Sequence, residues 1–242
     1  MLIEVDGFIL SETPYSETSK IINVFTKEYG IIGVICKNAK SIKNKNRVAT
    51  MKLTYSRFNI KYKKDKLSTL ISADIIDPLK LIKSDIILIS FLNYIADLTY
   101  QVLKQSNYYE YIYNDLIACI LKMDKGLDPI VLMNILEIKY LKYLGILFDL
   151  EACVLCHNKN HLVTIDAYKG GFVCSDCLTN EIVVNIKVVK LIKMYYYVDI
   201  KNLKDISIEE NFKKTINIFL DMYYDRYTGL YLNCKNFLKK LL

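Results

Sequence analysis

Two pairs of cysteines constrain the fold of this chain more than any other feature. Cys153 and Cys156 form the first pair, Cys174 and Cys177 form the second, and seventeen residues separate the two pairs. A C-x-x-C turn directs two sulfurs toward one point, and two such turns supply the four thiolates of a tetrahedral zinc site. Four thiolates leave no coordination position for water or substrate, so the spacing predicts a structural Zn²⁺ ion.

Other interpretations of these cysteines are weaker. Buried thiols or disulfide bonds would use the same residue type, but nothing in the sequence marks a secreted chain in which disulfides persist. His157 adjoins the first pair and is an alternative fourth ligand. Gly170 and Gly171 precede the second pair and suit the turn of a hairpin, so we expect a small zinc knuckle.

The first residues and the most apolar run predict a soluble, cytoplasmic protein with no membrane contact. Residues 1–6 include two acids where a signal peptide would carry positive charge. The apolar run over residues 81–103 contains Lys83, Asp85 and Asp97, whereas a membrane span needs about 18 or more apolar residues with few charges. This run is therefore predicted to be a buried helix.

Positive charge is concentrated in one segment. The net charge of the whole chain is +7. Residues 37–66 hold eleven lysines and arginines and a single acid, Asp65, whereas acids outnumber cations by three in the rest of the chain. A run of basic residues usually forms only a solvated face, but an imbalance of this size favours binding to nucleic acid.

Residues 4–76 show the alternation of apolar and polar residues that is typical of strands. Alternation is clearest where Phe58, Ile60 and Tyr62 alternate with Asn59 and Lys61. Five strands are predicted, over residues 5–10, 21–25, 31–36, 51–62 and 67–76. Five strands in about 75 residues fit a closed barrel of the oligonucleotide-binding (OB) kind, although an SH3-like barrel would give similar signals.

After Asp77 and Pro78 the apolar residues recur with helical spacing. We expect one long helix over residues 82–103, a second over 112–123, and a third that begins with Asp128 as N-cap and Pro129 at its first position. Beyond the cysteines, helices are predicted over residues 186–198, after a capping box of Ser207 and Glu210, and over residues 233–242.

These patterns predict an α+β protein with four segments. The domain boundaries are an OB barrel at 1–78, the first part of a helical domain at 79–150, an inserted four-cysteine zinc knuckle at 151–180, and the second part of the helical domain at 181–242.

The basic segment predicts a phosphate-binding face on the barrel. Lysine and arginine neutralise phosphates without reading base sequence, and exposed aromatic rings stack on unpaired bases. The candidate DNA-binding residues are Lys20, Lys37, Lys40, Lys43, Lys45, Arg47, Arg57, Lys61 and Lys63. Candidate stacking residues are Tyr15, Tyr29, Tyr55 and Phe58, although each aromatic residue taken singly is more often part of a core.

Motifs of the common enzyme classes do not occur in the sequence. It contains no G-x-x-x-x-G-K-[ST], no G-x-G-x-x-G and no G-x-S-x-G. The two histidines, His157 and His161, form neither the H-x-E of zinc deaminases nor H-E-x-x-H. We therefore expect a protein that is not an enzyme.

The opening motif and the cysteine region together resemble the bacterial RecO family of DNA repair and recombination mediators. The residues that carry the resemblance are Gly7–Leu10, Tyr15–Lys20, Val24–Thr26, Tyr29–Gly30, Cys36–Lys40, Leu144–Gly145, Gly170–Gly171 and the two C-x-x-C pairs. The resemblance covers the whole chain in length and domain order.

Membership of this family implies binding of single- and double-stranded DNA and annealing of complementary strands at the nucleoid. It also implies partners: RecR, the acidic C-terminal tail of single-strand-binding protein, and indirectly RecA, which the family helps to load onto coated strands. The loop Asn38–Lys40 departs from the family, in which many members have a run rich in glycine and arginine. Some members lack the zinc cysteines, which favours a structural role for the metal.

Two other classes of function remain open from the sequence. The chain could be a protein adaptor whose basic face binds only acidic proteins, or a zinc-containing RNA-binding or transcription factor with a basic OB barrel. Annealing of naked complementary oligonucleotides, and the preference among single-stranded DNA, duplex DNA and RNA, would distinguish these classes.

Overall fold

The computed structural model describes residues 1–232, 234, 235 and 238 of the 242-residue chain. These residues form two compact units. One contains residues 1–125 and the described residues after 231, and the other contains residues 126–231. The division falls within the predicted segment 79–150, and part of the predicted last helix, residues 233–242, lies outside the described residues.

Five strands close into a barrel in the first unit. They are β1 (Leu2–Pro14), β2 (Lys20–Thr26), β3 (Gly30–Cys36), β4 (Tyr55–Lys61) and β5 (Ser68–Asp77). Their order around the barrel is β1-β2-β3-β5-β4, and β4 pairs in turn with β1. The pairing of β3 with β5 is parallel, and all the others are antiparallel. This arrangement confirms the OB fold and resolves the choice between the two kinds of small barrel.

Strand β1 closes the barrel because it is long enough to pair with two neighbouring strands. Its first half pairs with β4 and its second half pairs with β2, and the register shifts between Ile9 and Ser11. A β-bulge of this kind bends a strand and increases its twist. The predicted alternation then fills the barrel interior, because Ile22, Val24 and Phe58 all point into the same core.

The predicted bounds of two strands differ from those in the structure. Residues 51–54 form a turn, since the backbone there is held by hydrogen bonds between Leu53 N and Ile9 O and between Ile9 N and Thr54 O. The first strand is longer than predicted, because the polar residues Glu4 and Asp6 alternate outward on it.

Three helices follow the barrel within residues 80–124 of the first unit: α1 (Lys80–Ser84), α2 (Ile86–Val102) and α3 (Tyr109–Asp124). The prediction of one long helix over 82–103 is wrong. Asp85 has extended backbone angles, and its carboxylate accepts hydrogen bonds from the N–H groups of Ile87 and Leu88. It therefore ends α1 and caps α2, which the apolar spacing alone did not show.

The second unit contains α4 (Pro129–Tyr143), the hairpin β6 (Leu162–Asp166) and β7 (Gly171–Cys174), α5 (Ile186–Tyr197) and α6 (Glu210–Tyr227). Asp128 caps α4 as predicted, with its carboxylate accepting from the N–H groups of Ile130 and Val131. The predicted capping box is wrong, because α6 begins after Glu209 with no side-chain cap.

An aromatic cluster fills the space below the hairpin in this unit. Phe148 makes edge-on contacts with Phe172 of β7 and with Phe219 and Tyr223 of α6, at centroid distances of 5.2 to 5.7 Å. The hairpin that carries the second cysteine pair therefore packs against this aromatic cluster. Among the described helices, none is both long enough and apolar enough to cross a membrane.

Candidate metal centre and nucleic-acid interface

The four predicted cysteines come together in the second unit. All four sulfurs lie within 4.8 Å of one another, and the Sγ atoms of Cys156 and Cys174 are 3.6 Å apart. A tetrahedral zinc site with Zn–S bonds of about 2.3 Å places its sulfurs about 3.8 Å apart. The cluster therefore has the spacing and the donor set to hold a metal ion. His157 is not part of it.

Backbone hydrogen bonds hold the two cysteine turns together. Val154 N donates to Phe172 O of β7 at 2.9 Å, and Ser175 N donates to His161 O at 3.0 Å. Each bond joins the loop of the first pair to the strand or turn of the second. Two turns that are distant in sequence are thus held face to face.

The second hairpin strand approaches this loop closely at Gly171. A Cβ atom on Gly171 would lie 2.7 Å from Val154 Cγ1 and 3.0 Å from Phe148 Cβ. Only a residue without a side chain leaves room for that approach. The Gly170–Gly171 pair that predicted a hairpin turn thus also permits the packing of the first cysteine turn against β7.

The pKa values of the cysteine thiols depend on the groups that lie close to each sulfur. Burial opposes ionisation of the Cys153 thiol, but backbone N–H groups around its sulfur outweigh burial and lower its pKa to about 6. The hydrogen bond with Cys156, together with burial, raises the pKa of Cys177 to about 12. Adjacent thiolates repel one another, so ionisation of all four requires a bound cation to neutralise them.

Seven of the predicted cations are exposed in the OB barrel unit, and this set is here called the basic surface. Its members are Lys37, Lys40, Lys43, Lys45, Arg47, Lys61 and Lys63, and every one is exposed. Within the described part of the chain, none of the seven has a carboxylate at salt-bridge distance. Their charges are therefore available to an external anion.

Strand pairing brings the two ends of the basic surface close together. Thr69 of β5 pairs with Lys61 on one side and with Ile35 on the other. Neighbouring strands are about 4.8 Å apart, so Lys61 lies roughly 10 Å from Ile35, and Lys37 follows two residues later. The loop of residues 37–54 then runs along the open edge of β5, where Asn46 Oδ1 accepts from Ala73 N at 3.2 Å. Lys45 and Arg47 flank this contact.

Two predicted DNA-binding residues are paired with acidic side chains of the barrel. Lys20 is buried, and its Nζ lies 2.7 Å from Glu12 Oε2. Arg57 makes a bidentate pair with Asp6, in which Nε and Nη2 donate to the two carboxylate oxygens at 2.7 and 3.1 Å. Both side chains link neighbouring strands of the barrel, and the residues next to them in the sequence do not indicate these partners.

The candidate stacking residues differ in their surroundings. Phe58 is fully buried in the barrel core, so the prediction of a stacking role for it is wrong. Tyr55 is half-buried. Tyr15 is 60% exposed, and Tyr29 is 36% exposed and contacts the ring of Tyr62. Tyr62 directly follows β4, packs in part against the barrel core and contacts the ring of Tyr29, 33 residues away.

Fold and sites together define a class: an α+β protein with an OB barrel that carries exposed cations and a second unit that carries a four-cysteine cluster able to hold a metal ion. Comparison with known proteins narrows the class. The family model described as Recombination protein O N terminal matches residues 1–79, and the model described as Recombination protein O C terminal matches residues 83–235. The chain belongs to the RecO family of DNA repair and recombination proteins.

Relatives resemble this chain over its full length. The DNA repair protein RecO of Halalkalibacterium halodurans is 30% identical over 244 residues, which span 100% of this chain and 96% of that protein. The DNA repair proteins RecO of Bacillus cereus strain AH187 and of Bacillus anthracis are 31% identical, and each alignment covers 100% of this chain and 98% of the relative. The similarity therefore extends across both units of the structure.

Proposed function

We propose that this chain is a non-enzymatic mediator of DNA repair and recombination in the cytoplasm, acting at the nucleoid. It binds single- and double-stranded DNA through the basic surface and anneals complementary strands. With RecR it helps to load RecA onto DNA that is coated by single-strand-binding protein, whose acidic C-terminal tail it contacts. Family membership supports the general role, and the basic surface supports the binding of DNA.

One observation carries this proposal: seven exposed cations on one OB barrel lack acidic partners within the described residues. Annealing brings two polyanions together, and their mutual repulsion opposes it. Cations that bind both backbones release counterions and reduce this repulsion without reading sequence. The surface therefore supplies what annealing needs with no nucleotide cofactor.

Charge reversal tests the role of the basic surface. A variant with Lys43→Glu, Lys45→Glu and Lys61→Glu should bind duplex DNA more weakly. The slope of log K against log salt should become less steep by up to about 2.7, since each lost phosphate contact contributes about 0.9. Affinity is measured by fluorescence anisotropy at several salt concentrations.

A matched control carries the same change of charge in the second unit. Lys201, Lys204 and Lys214 are exposed there, and their replacement by glutamate changes the net charge equally. The control should keep the wild-type salt slope. Equal slopes for wild type and the barrel variant would contradict the proposed interface.

The same proteins distinguish between the alternative classes of function. A protein adaptor would not accelerate annealing of naked complementary oligonucleotides, and an RNA-binding factor would prefer RNA over both forms of DNA. Loading of RecA onto coated single strands, with and without RecR, tests the partners. No stimulation by this chain under any combination would refute the mediator role.

We also propose that the metal is zinc and that its role is structural. Four cysteine ligands match the donor preference of Zn²⁺ and leave no open coordination position. The ion would neutralise the thiolates and lock the two cysteine turns. In small domains a structural zinc contributes on the order of 10 kcal/mol to folding.

Removing one ligand tests this role. Cys174→Ser should lower the metal content of the purified protein and the melting temperature, whereas Cys119→Ser in α3 removes a buried thiol outside the cluster. Elemental analysis and thermal denaturation give the two readouts. A Cys174→Ser protein that keeps full metal content and an unchanged melting temperature would contradict the assignment.

A further inference from the structure

A groove lies on the OB barrel beside the basic surface, between the turn that joins β2 to β3 and the hairpin that joins β4 to β5. It measures about 400 Å³, and its lining includes Tyr29, Ile31, Tyr62, Lys63 and Lys66. Pockets of roughly 300–1,000 Å³ are the usual size of small-molecule sites. Room for more than one planar ring is therefore present.

Two tyrosine rings form one wall of this groove. The centroids of Tyr29 and Tyr62 are 4.9 Å apart, and their planes are inclined at 45°. Tyr29 is 36% exposed and Tyr62 is half-buried, so the pair presents ring surface to solvent. Large aromatic side chains gain most from burial, and an exposed ring pair in a groove is therefore typical of a binding site.

The turn that carries Tyr29 is held in place by α3. The ring of Tyr109 lies 3.2 Å from the position that a Cβ atom on Gly30 would occupy. Lys27 of the same turn makes a salt bridge of 3.0 Å with Glu110. Both contacts pack the turn that carries Tyr29 against α3.

Two lysines adjoin the rings. Lys63 and Lys66 are exposed, and in the described residues neither has an acidic side chain at salt-bridge distance. One acid, Asp65 at the tip of the hairpin, also lines the groove, and Glu28 precedes Tyr29 in the sequence; both acids are exposed. Cations next to partly exposed rings match a ligand with alternating phosphates and bases.

We propose that Tyr29 and Tyr62 form a stacking subsite for unpaired bases of single-stranded DNA, with Lys63 and Lys66 contacting the adjoining phosphates. This inference rests on the proposed function and adds that the protein distinguishes single-stranded DNA from duplex DNA. Duplex bases already stack on one another and offer no free face to a protein ring, whereas single strands do. The subsite therefore recognises single strands, and the rest of the basic surface binds the backbone of either form.

The test uses the full-length protein with Tyr29→Leu and Tyr62→Leu combined. Leucine keeps apolar contact with the barrel but has no ring face. We expect affinity for a single-stranded oligonucleotide to fall roughly tenfold or more, because each stacked base contributes substantially to binding. Affinity for a duplex of the same length should stay within about twofold. Stacking is read independently from the fluorescence of an oligonucleotide that contains 2-aminopurine.

Two control variants are compared with the leucine variant. Tyr168→Leu removes an exposed tyrosine from the turn between β6 and β7 of the second unit, outside the groove, and should leave single-strand affinity unchanged. Tyr29→Phe combined with Tyr62→Phe keeps the rings and should restore wild-type binding. The melting temperature of each variant establishes that it is folded.

Each outcome has a separate meaning. Unchanged single-strand affinity and unchanged 2-aminopurine fluorescence in the folded leucine variant would overturn the subsite while the proposed function stands. An equal loss of single-strand and duplex affinity would overturn it as well, since stacking cannot serve a duplex. Failure of the wild-type protein to bind any DNA would instead refute the proposed function.

Discussion

A buried ion pair in the second unit gives a quantitative prediction. Lys213 of α6 is buried, with 7% of its side chain exposed, and its Nζ lies 2.6 Å from Asp128 Oδ2 and 2.5 Å from Glu210 Oε1. Asp128 also caps α4 through its other oxygen, which accepts from Ile130 N at 2.8 Å. One carboxylate therefore stabilises a helix end and compensates a buried ammonium.

Two substitutions of Asp128 separate these roles. Asn is as good an N-cap as Asp, so Asp128→Asn keeps the cap and removes the charge. Breaking a fully buried pair costs about 3–5 kcal/mol, but Glu210 remains, so we expect about 2 kcal/mol. Asp128→Ala loses the cap as well, which adds about 1 kcal/mol. At roughly 2–4 °C per kcal/mol, the melting temperature should fall by about 4–8 °C and about 6–12 °C respectively.

Coupling between Asp128 and Lys213 is measured by a double-mutant cycle with urea denaturation. Lys213→Met replaces the ammonium with an apolar chain of similar length, a change that is often neutral or stabilising for buried ion pairs. In that background Asp128→Asn should cost far less than in the wild type. Equal costs in both backgrounds would show that the pair contributes nothing and would refute the reasoning.

Burial disfavours the charged form of Lys213, but its hydrogen bonds to Asp128 and Glu210 outweigh burial and raise its pKa. A raised pKa means that the protonated form of Lys213 contributes its full stabilisation when the pH is below the ordinary lysine value of 10.5, and that this contribution is lost as the pH rises through the raised pKa.

Two further predictions concern the metal-binding hairpin. Gly171→Ala should destabilise the protein by about 1–3 kcal/mol through overpacking against Val154 and lower its metal content. Gly145→Ala, at φ +74 with nothing near its Cβ position, incurs backbone strain without overpacking, so it should cost less and keep the metal. Equal urea midpoints for the two variants would contradict this. The hydrogen bond from Lys169 lowers the pKa of Glu181 from 4.5 to about 2, so its stabilising effect is present above pH 4.5 and is lost as the pH falls toward 2. Glu181→Gln should therefore lose less stability than wild type between pH 5 and pH 3, and parallel losses in urea titrations at the two pH values would show that this ion pair does not contribute.

Features that depend on local spacing can be read from the amino-acid sequence alone. The ligands of the metal centre are set by two C-x-x-C turns, and each turn needs only four consecutive residues to aim its sulfurs. Strand number and the inward residues of the barrel follow from an alternation that the pleated backbone imposes. The cap at Asp128 is likewise a short-range hydrogen bond, and the concentration of cations in residues 37–66 can be counted directly.

Long-range contacts determine which of these residues are free to act. Lys20 and Arg57 are cations of the same barrel as Lys43 and Lys61, but strand pairing places each against a carboxylate of β1. The groove at Tyr29 arises from contacts with residues 33 positions or more away. Periodicity is a property of neighbouring residues, whereas partners across a barrel depend on strand order and register, which are fixed only when the whole sheet closes.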